Sequence, residues 1–352
     1  MALKLLIIGD PHFKGDNAID TQKLQEEVLR LIELKQCNAC IVLGDLMHDH
    51  GTAKMKVFNR ACDFLIQLTR VLGRENVFVL IGNHDRINNK VSEGDEHFFR
   101  LFKRDHPDFP IIVDQGQLIE IEKKRFALLQ YVEPGLLHEH IDKLLRTSEK
   151  TVEDIDAFFL HQELLGCDLG TRTSTVGDPW PLTYPLAISG HIHKYHNPQQ
   201  NLIYPGTPFQ TNFGENQWKA VMVMTYQTGS RQPEIERAQL DIPDKIALTL
   251  SCRDFIEFDV TEDSWIKFKI KDERQKIKAL KASDKYNQVR LMPLVRFTFT
   301  SLEDEPKKID LNGPMMPKMT KVSFLERLEK VLSEQNPGMK DLFERDFLRT
   351  IV

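Results

Sequence analysis

LKLLIIGDPH, residues 3–12, decides how the rest of the chain is read. Its apolar run from Leu5 to Ile8 stops at Gly9 and an acidic residue, Asp10, so it reads as a strand that ends at a polar turn. It lacks the long apolar region and small-residue cleavage site of a signal peptide. The same grammar recurs in ACIVLGD (39–45), VFVLIGNHD (77–85), RFALLQYV (125–132), DAFFLHQ (156–162), PLAISGHIH (185–193) and KAVMVMTY (219–226). Helical patterns at 20–36 and 53–72 separate the early runs, which predicts an α/β layered architecture.

Asp10, Asp45, Asn83, His161 and His191 all fall at or just beyond the C-terminal end of an apolar run. In open α/β sheets that edge is where loops converge and ligands bind. DPH places Asp10 and His12 two residues apart, on one side of an extended strand end, and GHIH does the same with His191 and His193. Asp45 offers two carboxylate oxygens and could bridge two cations about 4 Å apart. A donor set mixing Asp, Asn and His suits manganese, iron or zinc better than calcium. Glycines at 9, 44, 82 and 190 precede four of these motifs, where backbone would pass close to metal or phosphate.

Taken together, DPH (10–12), GDLMH (44–48), GNHD (82–85), HQ (161–162) and GHIH (190–193) resemble the calcineurin-like metallophosphoesterase family as far as the strand ending at Tyr226. The resemblance implies a two-sheet α/β sandwich flanked by helices, with two divalent ions, manganese expected. One ion would be held by Asp10, His12, Asp45 and His193, the other by Asp45, Asn83, His161 and His191. A hydroxide between them would attack phosphorus in line. His84 is the candidate to protonate the leaving oxygen, with Asp85 orienting it or raising its pKa; the competing reading makes Asp85 a structural cap.

Within the family, GDLMHDHGTAK (44–54), the long helix after it, HQ at 161 and YPGTPFQTNFGE (204–215) resemble the SbcD-type nuclease subunit of double-strand-break repair complexes. That resemblance implies a DNA exonuclease or endonuclease acting in repair, recombination or end processing. His48 would help seat the DNA backbone, or is a solvated loop histidine. The stretch 54–72 is apolar on two sides, with Phe58, Cys62, Leu65 and Leu72 on one and Val57, Phe64, Leu68 and Val71 on the other. A helix apolar nearly all round is buried on both sides, and in the resembling nucleases helices here pair across a homodimer. The alternative is a metallophosphatase or cyclic-nucleotide phosphodiesterase of the same fold. A catalytically dead scaffold would have lost ligands, and none is missing here.

The organisation expected is a catalytic domain at 1–230, a small α+β capping and DNA-binding domain at 231–301, a linker at 302–320 and C-terminal helices at 321–352. In the capping unit FIEFDV (255–260), WIKFKIKD (265–272) and LVRFTFTS (294–301) alternate like strands, around a charged helical stretch at 273–285. The basic run through 265–290, with Trp265, Phe268 and Tyr286 interspersed, fits phosphate contacts or simply a solvated helix face. The tail helices could dock on an SMC-like ABC ATPase or pack on the body; the chain has no P-loop, so such an ATPase would be a separate protein. A net charge of −5 confines any DNA contact to local basic patches. Five scattered cysteines argue for a reducing compartment, and the Cys37 and Cys40 pair reads as buried small residues. No apolar stretch is long enough to cross a bilayer, so a soluble, intracellular protein is expected, cytoplasmic or, in a eukaryote, nuclear.

Overall fold

The apolar runs are unbroken because both faces of the strands they form are covered. A computed structural model of the chain describes residues 2–89 and 96–304. In chain order its elements are β1 (Leu3–Ile8), α1 (Ala18–Lys35), β2 (Ala39–Val42), α2 (Met55–Leu72), β3 (Val77–Leu80), β4 (Ile111–Val113), β5 (Gln117–Ile121) and β6 (Lys124–Leu128). There follow α3 (Leu137–Thr147), β7 (Ala157–His161), β8 (Leu186–Gly190), β9 (His196–Gln199), β10 (Leu202–Tyr204), β11 (Val221–Tyr226) and β12 (Glu234–Ala238). The last group is β13 (Lys245–Leu250), α4 (Cys252–Glu257), β14 (Trp265–Asp272), α5 (Arg274–Lys281), α6 (Asp284–Val289) and β15 (Val295–Ser301).

Two mixed sheets make the sandwich, ordered β12-β11-β1-β2-β3-β4 and β5-β6-β7-β8-β10-β9. In β1, Leu6 and Ile8 pack with Leu24 and Val28 of α1 and Phe64 and Leu68 of α2. Leu3, Leu5 and Ile7 face the other way, packing with Phe126, Phe159 and Ile188 of the second sheet. The outer face of that sheet is closed by Leu137, Ile141, Leu144 and Leu145 of α3. β1, β2 and β3 run parallel, as do β6, β7 and β8, so their C-terminal ends lie together at an edge of each sheet.

β12, at 234–238, pairs with β11 and so belongs to the first sheet. The third sheet, β13-β14-β15, is parallel throughout and has its own core, built by Ile266, Phe268 and Ile270 against Cys252 and Phe255 of α4 and Ile277 and Leu280 of α5. Residues 265–272 and 295–301 form strands as expected. FIEFDV does not: α4 covers Cys252–Glu257, because Ser251 and Asp254 form a capping box that starts a helix across the alternating pattern.

Both apolar sides of α2 are largely taken up within the chain. Val57, Phe64, Leu65 and Leu68 are buried, Phe58, Cys62 and Leu72 pack half-buried on the same core, and Val71 is 54% exposed. Cys37 and Cys40 are free thiols, buried as small residues. Met1–Leu302 forms one compact unit. The linker and C-terminal helices expected at 302–352 lie outside the described residues beyond 304. Among the described residues no helix is long and apolar enough to cross a membrane.

Candidate metal centre

Five parallel strand ends supply the site. Asp10 and His12 follow β1, Asp45 follows β2, Asn83 follows β3, His161 ends β7, and His191 and His193 follow β8. Three of these residues, His12 (φ 47°), Asp45 (φ 49°) and His191 (φ 80°), sit in the left-handed region that non-glycine residues rarely occupy. Such strain persists where the surroundings enforce it and gathers at functional sites. Gly82 is required by proximity: a Cβ there would lie 2.2 Å from Asp45 Oδ1.

The structure brings all seven sequence-predicted ligands together. Asp45 divides its oxygens, with Oδ1 3.3 Å from His161 Nε2 and Oδ2 3.8 Å from His12 Nε2. Around Oδ1, the Asn83 carboxamide oxygen lies 3.2 Å from His161 Nε2 and 2.9 Å from His191 Nδ1. Around Oδ2, His12 Nε2 and His193 Nε2 stand 2.8 Å apart. Asp10 accepts the His191 amide on Oδ1 at 2.7 Å, while its Oδ2 is buried with no hydrogen-bond partner. A buried carboxylate oxygen left in that state is costly unless a cation meets it. His161 donates Nδ1–H to the Leu43 carbonyl at 2.7 Å, which turns its Nε2 toward Asp45 and Asn83. Asn83 Nδ2 donates to Asn89, which leaves its oxygen for the imidazoles.

Burial and mutual contact shift the ionisation of these groups. Burial opposes the imidazolium at His161, yet the Asp45 and Asp10 carboxylates push it up to about 9. Burial holds His191 down to about 3 and His12 well below its ordinary value, so both are neutral, as ligands must be. Asp45 is held well below the carboxylate range despite burial, by His161 and His12. Asp45, His161 and His191 offer ligand atoms within 4.8 Å of one another, with the Asn83 oxygen beside them, and would hold one divalent ion; Asp10, His12, Asp45 and His193 are the set the family resemblance implies for a second. Because His161 carries a proton below about 9, metal binding should displace it. Manganese affinity should rise about tenfold per pH unit between 6 and 8, with about one proton released in calorimetry across buffers of different ionisation enthalpy. Affinity independent of pH would show that metal binding displaces no proton from His161.

A group of imidazoles stands beside the ligands. His12, His48 and His84 offer nitrogens within 4.8 Å of one another. The His84 ring stacks on His50 at 4.2 Å between centroids and approaches His12 edge-on at 5.0 Å. Its amide donates to Asp45 Oδ1 at 2.8 Å, and its Nδ1 donates to the His48 carbonyl at 2.5 Å. The partner orienting His84 is thus the His48 backbone, not the Asp85 carboxylate expected from sequence. Asp85 accepts from Met47 N at 2.9 Å and Gly82 N at 3.0 Å, tying together the loops that carry Asp45 and Asn83. It is the cap of the competing reading. Sequence reasoning passed over His50, although it follows His48 by two residues, and Glu215, although it closes a motif already noted.

Parallel strand ends here gather two carboxylates, a carboxamide and four imidazoles, a donor set that suits divalent metal ions. The chain belongs to the calcineurin-like phosphoesterase family, which matches residues 3–195. It is 30% identical over 282 residues to the protein of Invertebrate iridescent virus 6 called "Putative phosphoesterase 244L", covering 79% of this chain and 97% of that one. It is 36% identical over 214 residues to "Putative phosphoesterase 078R" of Invertebrate iridescent virus 3, covering 61% of this chain and 60% of that protein. Among solved structures, the phosphoesterase YfcE from E. coli aligns with a TM-score of 0.33 and 14% identity, over 68% of this chain and 100% of that one.

Proposed function

We propose that this phosphoesterase is a DNA phosphodiesterase, cutting the backbone with two divalent ions, manganese by preference, held by Asp10, His12, Asp45, Asn83, His161, His191 and His193. The observation that supports the DNA reading is the face of the third sheet that no described helix covers. Parallel sheets are ordinarily covered on both faces. Here α4, α5 and α6 cover one face, and the other carries Lys267, Lys269, Lys271 and Arg296 with Thr249, Thr298 and Thr300. Strand register sets Lys267 beside Arg296, Lys269 between Thr249 and Thr298, and Lys271 beside Thr300. Ammonium, guanidinium and hydroxyl donors in such an array contact phosphates without reading bases. Lys267 Nζ lies 5.9 Å from the Phe213 ring centre, in the loop whose Glu215 approaches His193 at 3.6 Å. Lys267 thus links the basic face to the loop that carries Glu215, which supports reading it as a surface that a small phosphomonoester would not need.

Divalent ions bound there lower the pKa of water and neutralise charge on phosphoryl oxygens. The chain's own residues do the rest. Asp45 sets the spacing of the two groups of donors, and the basic face aligns the backbone. His84, its Nδ1 committed to the His48 carbonyl, has Nε2 to hold the proton for the leaving oxygen.

The test is degradation of an end-labelled linear duplex with manganese and no partner protein. Wild type should degrade it. Replacing Lys267, Lys269 and Lys271 by Glu should raise KM for duplex and flatten the slope of log KM against log salt by about three, one unit per phosphate contact. Inert DNA beside rapid hydrolysis of a small phosphodiester would transfer the reading to a phosphatase or cyclic-nucleotide phosphodiesterase.

A further inference from the structure

We propose that Glu215 is a positioning residue for His193 and the joint that keeps the third sheet in register with the metal-ligating loops. The first half rests only on His193 being a ligand; the second rests also on the DNA reading.

His193 is gripped at two points by one ion pair. Lys219 Nζ donates to the His193 carbonyl at 2.8 Å and to Thr207 Oγ1 at 2.7 Å, and it pairs with Glu215 Oε2 at 2.8 Å. Glu215 Oε1 lies 3.6 Å from His193 Nδ1. His193 Nε2 faces His12 in the ligand group, so Nδ1 is the nitrogen left to a supporting carboxylate. A carboxylate there selects the tautomer with Nδ1–H and turns Nε2 to the ion. Glu215 is in turn fixed by Thr211 N at 3.1 Å, by Thr211 Oγ1 and by Asn212 Nδ2 at 2.8 Å. A largely buried ion pair is a poor device for stability alone, since desolvation offsets much of its attraction. One whose two members hold the carbonyl and the ring of the same ligand has a reason to be polar.

The chain of bonds continues to the third sheet. Gln210 Nε2 donates to the Glu215 carbonyl at 2.8 Å and to the Lys245 carbonyl at 3.2 Å, and Gln210 Oε1 accepts the Lys245 amide at 2.6 Å. Lys245 opens β13. Its ammonium pairs with Asp20 of α1, whose other oxygen accepts Trp265 Nε1 at the start of β14, at 2.5 Å. The first residues of two strands of the basic sheet are therefore bonded to the body, and one runs through Gln210 to the residue that orients His193. A shift of the third sheet would move Glu215, and the spacing between basic face and metal centre is set by this connection.

Manganese calorimetry on Glu215→Gln tests the first half without any substrate. Glutamine keeps the size but loses the charge and one of the two acceptor oxygens, so it can keep the contacts of Oε1 with Thr211 Oγ1 and Asn212 or those of Oε2 with Thr211 N and Lys219, not both. One of the two metal equivalents should weaken about 10- to 100-fold, the cost typical of a lost supporting partner, with the other unchanged. Thr211→Val, which removes one donor to the same carboxylate, should weaken that same equivalent by less; it serves as the readout if Glu215→Gln does not fold. Two equivalents of wild-type affinity in the folded variant would overturn the positioning role. For the second half, Gln210→Ala should raise KM for duplex about tenfold relative to KM for a small aryl phosphodiester. An unchanged ratio, in a protein whose Lys267, Lys269 and Lys271 variant does lose duplex affinity, would overturn the joint. A wild type that leaves duplex intact would overturn the joint together with the DNA reading, and would leave the calorimetric result standing.

Discussion

Asp45→Asn is expected to lower phosphodiester hydrolysis by about 10⁴-fold, since loss of a mere supporting partner at one ion costs 10- to 100-fold and the proposed function has this residue serve both. The substitution isolates charge from shape. Asn tolerates the left-handed backbone that Asp45 adopts, at φ 49°, and its Oδ1 can still accept the His84 amide. What disappears is the negative charge that Oδ1 directs toward His161 and Oδ2 toward His12. The metal-linked stability should disappear with it. An ion present at 100-fold over its dissociation constant stabilises the folded state by about 2.7 kcal/mol. Thermal melts should therefore show an upward shift with manganese in wild type and little or none in the variant. A variant that melts like wild type with and without manganese, and still cleaves phosphodiesters, would end the account of Asp45 as the shared ligand.

The convergence of the seven candidate ligands was legible because Asp10, Asp45, Asn83, His161 and His191 close apolar runs, His12 and His193 follow two residues after Asp10 and His191, and strand ends of parallel sheets converge whatever the loops do. β14 was legible to the residue, since an open sheet face forces the alternation of Ile266, Phe268 and Ile270 with Lys267, Lys269 and Lys271. α4 was misread because its six residues are too short for a helical period to outweigh an alternating pattern; the Ser251 and Asp254 capping box was the signal that could have found it. The double-sided apolar pattern of α2 pointed outward to a second copy. Within the chain, Phe58, Cys62 and Leu72 pack half-buried against its own core, while Val71 is 54% exposed.

What lay beyond sequence is the wiring between loops. Nothing in GNHD distinguishes a catalytic Asp85 from a cap; only the folded loops bring its carboxylate to the Met47 and Gly82 amides. The grip of Glu215 and Lys219 on His193 joins residues more than twenty positions apart, through a loop whose path no periodicity encodes. The positive φ angles at His12, Asp45 and His191 are likewise a product of packing. They follow from the need to turn three side chains into one small space directly after a strand.

His84→Ala should separate proton transfer from metal binding. The bond from residue 84 to Asp45 is made by the backbone amide, so alanine keeps it, and the ring lost is no member of the seven-residue ligand set. Both manganese equivalents should bind with wild-type affinity, while kcat on DNA, the proposed substrate, falls by about 10²- to 10⁴-fold, the range for a positioned general acid. The loss should depend on the leaving group. Cleavage of DNA expels a poorly stabilised alkoxide and needs the proton; an aryl phosphodiester expels a phenoxide that needs it far less, so its kcat should fall much less. A His84 that served only to pack against His50, with its centroid 4.2 Å away, would slow both substrates equally. Equal losses, or a loss that tracks weakened manganese binding, would show that the imidazole shapes the site rather than delivering a proton within it.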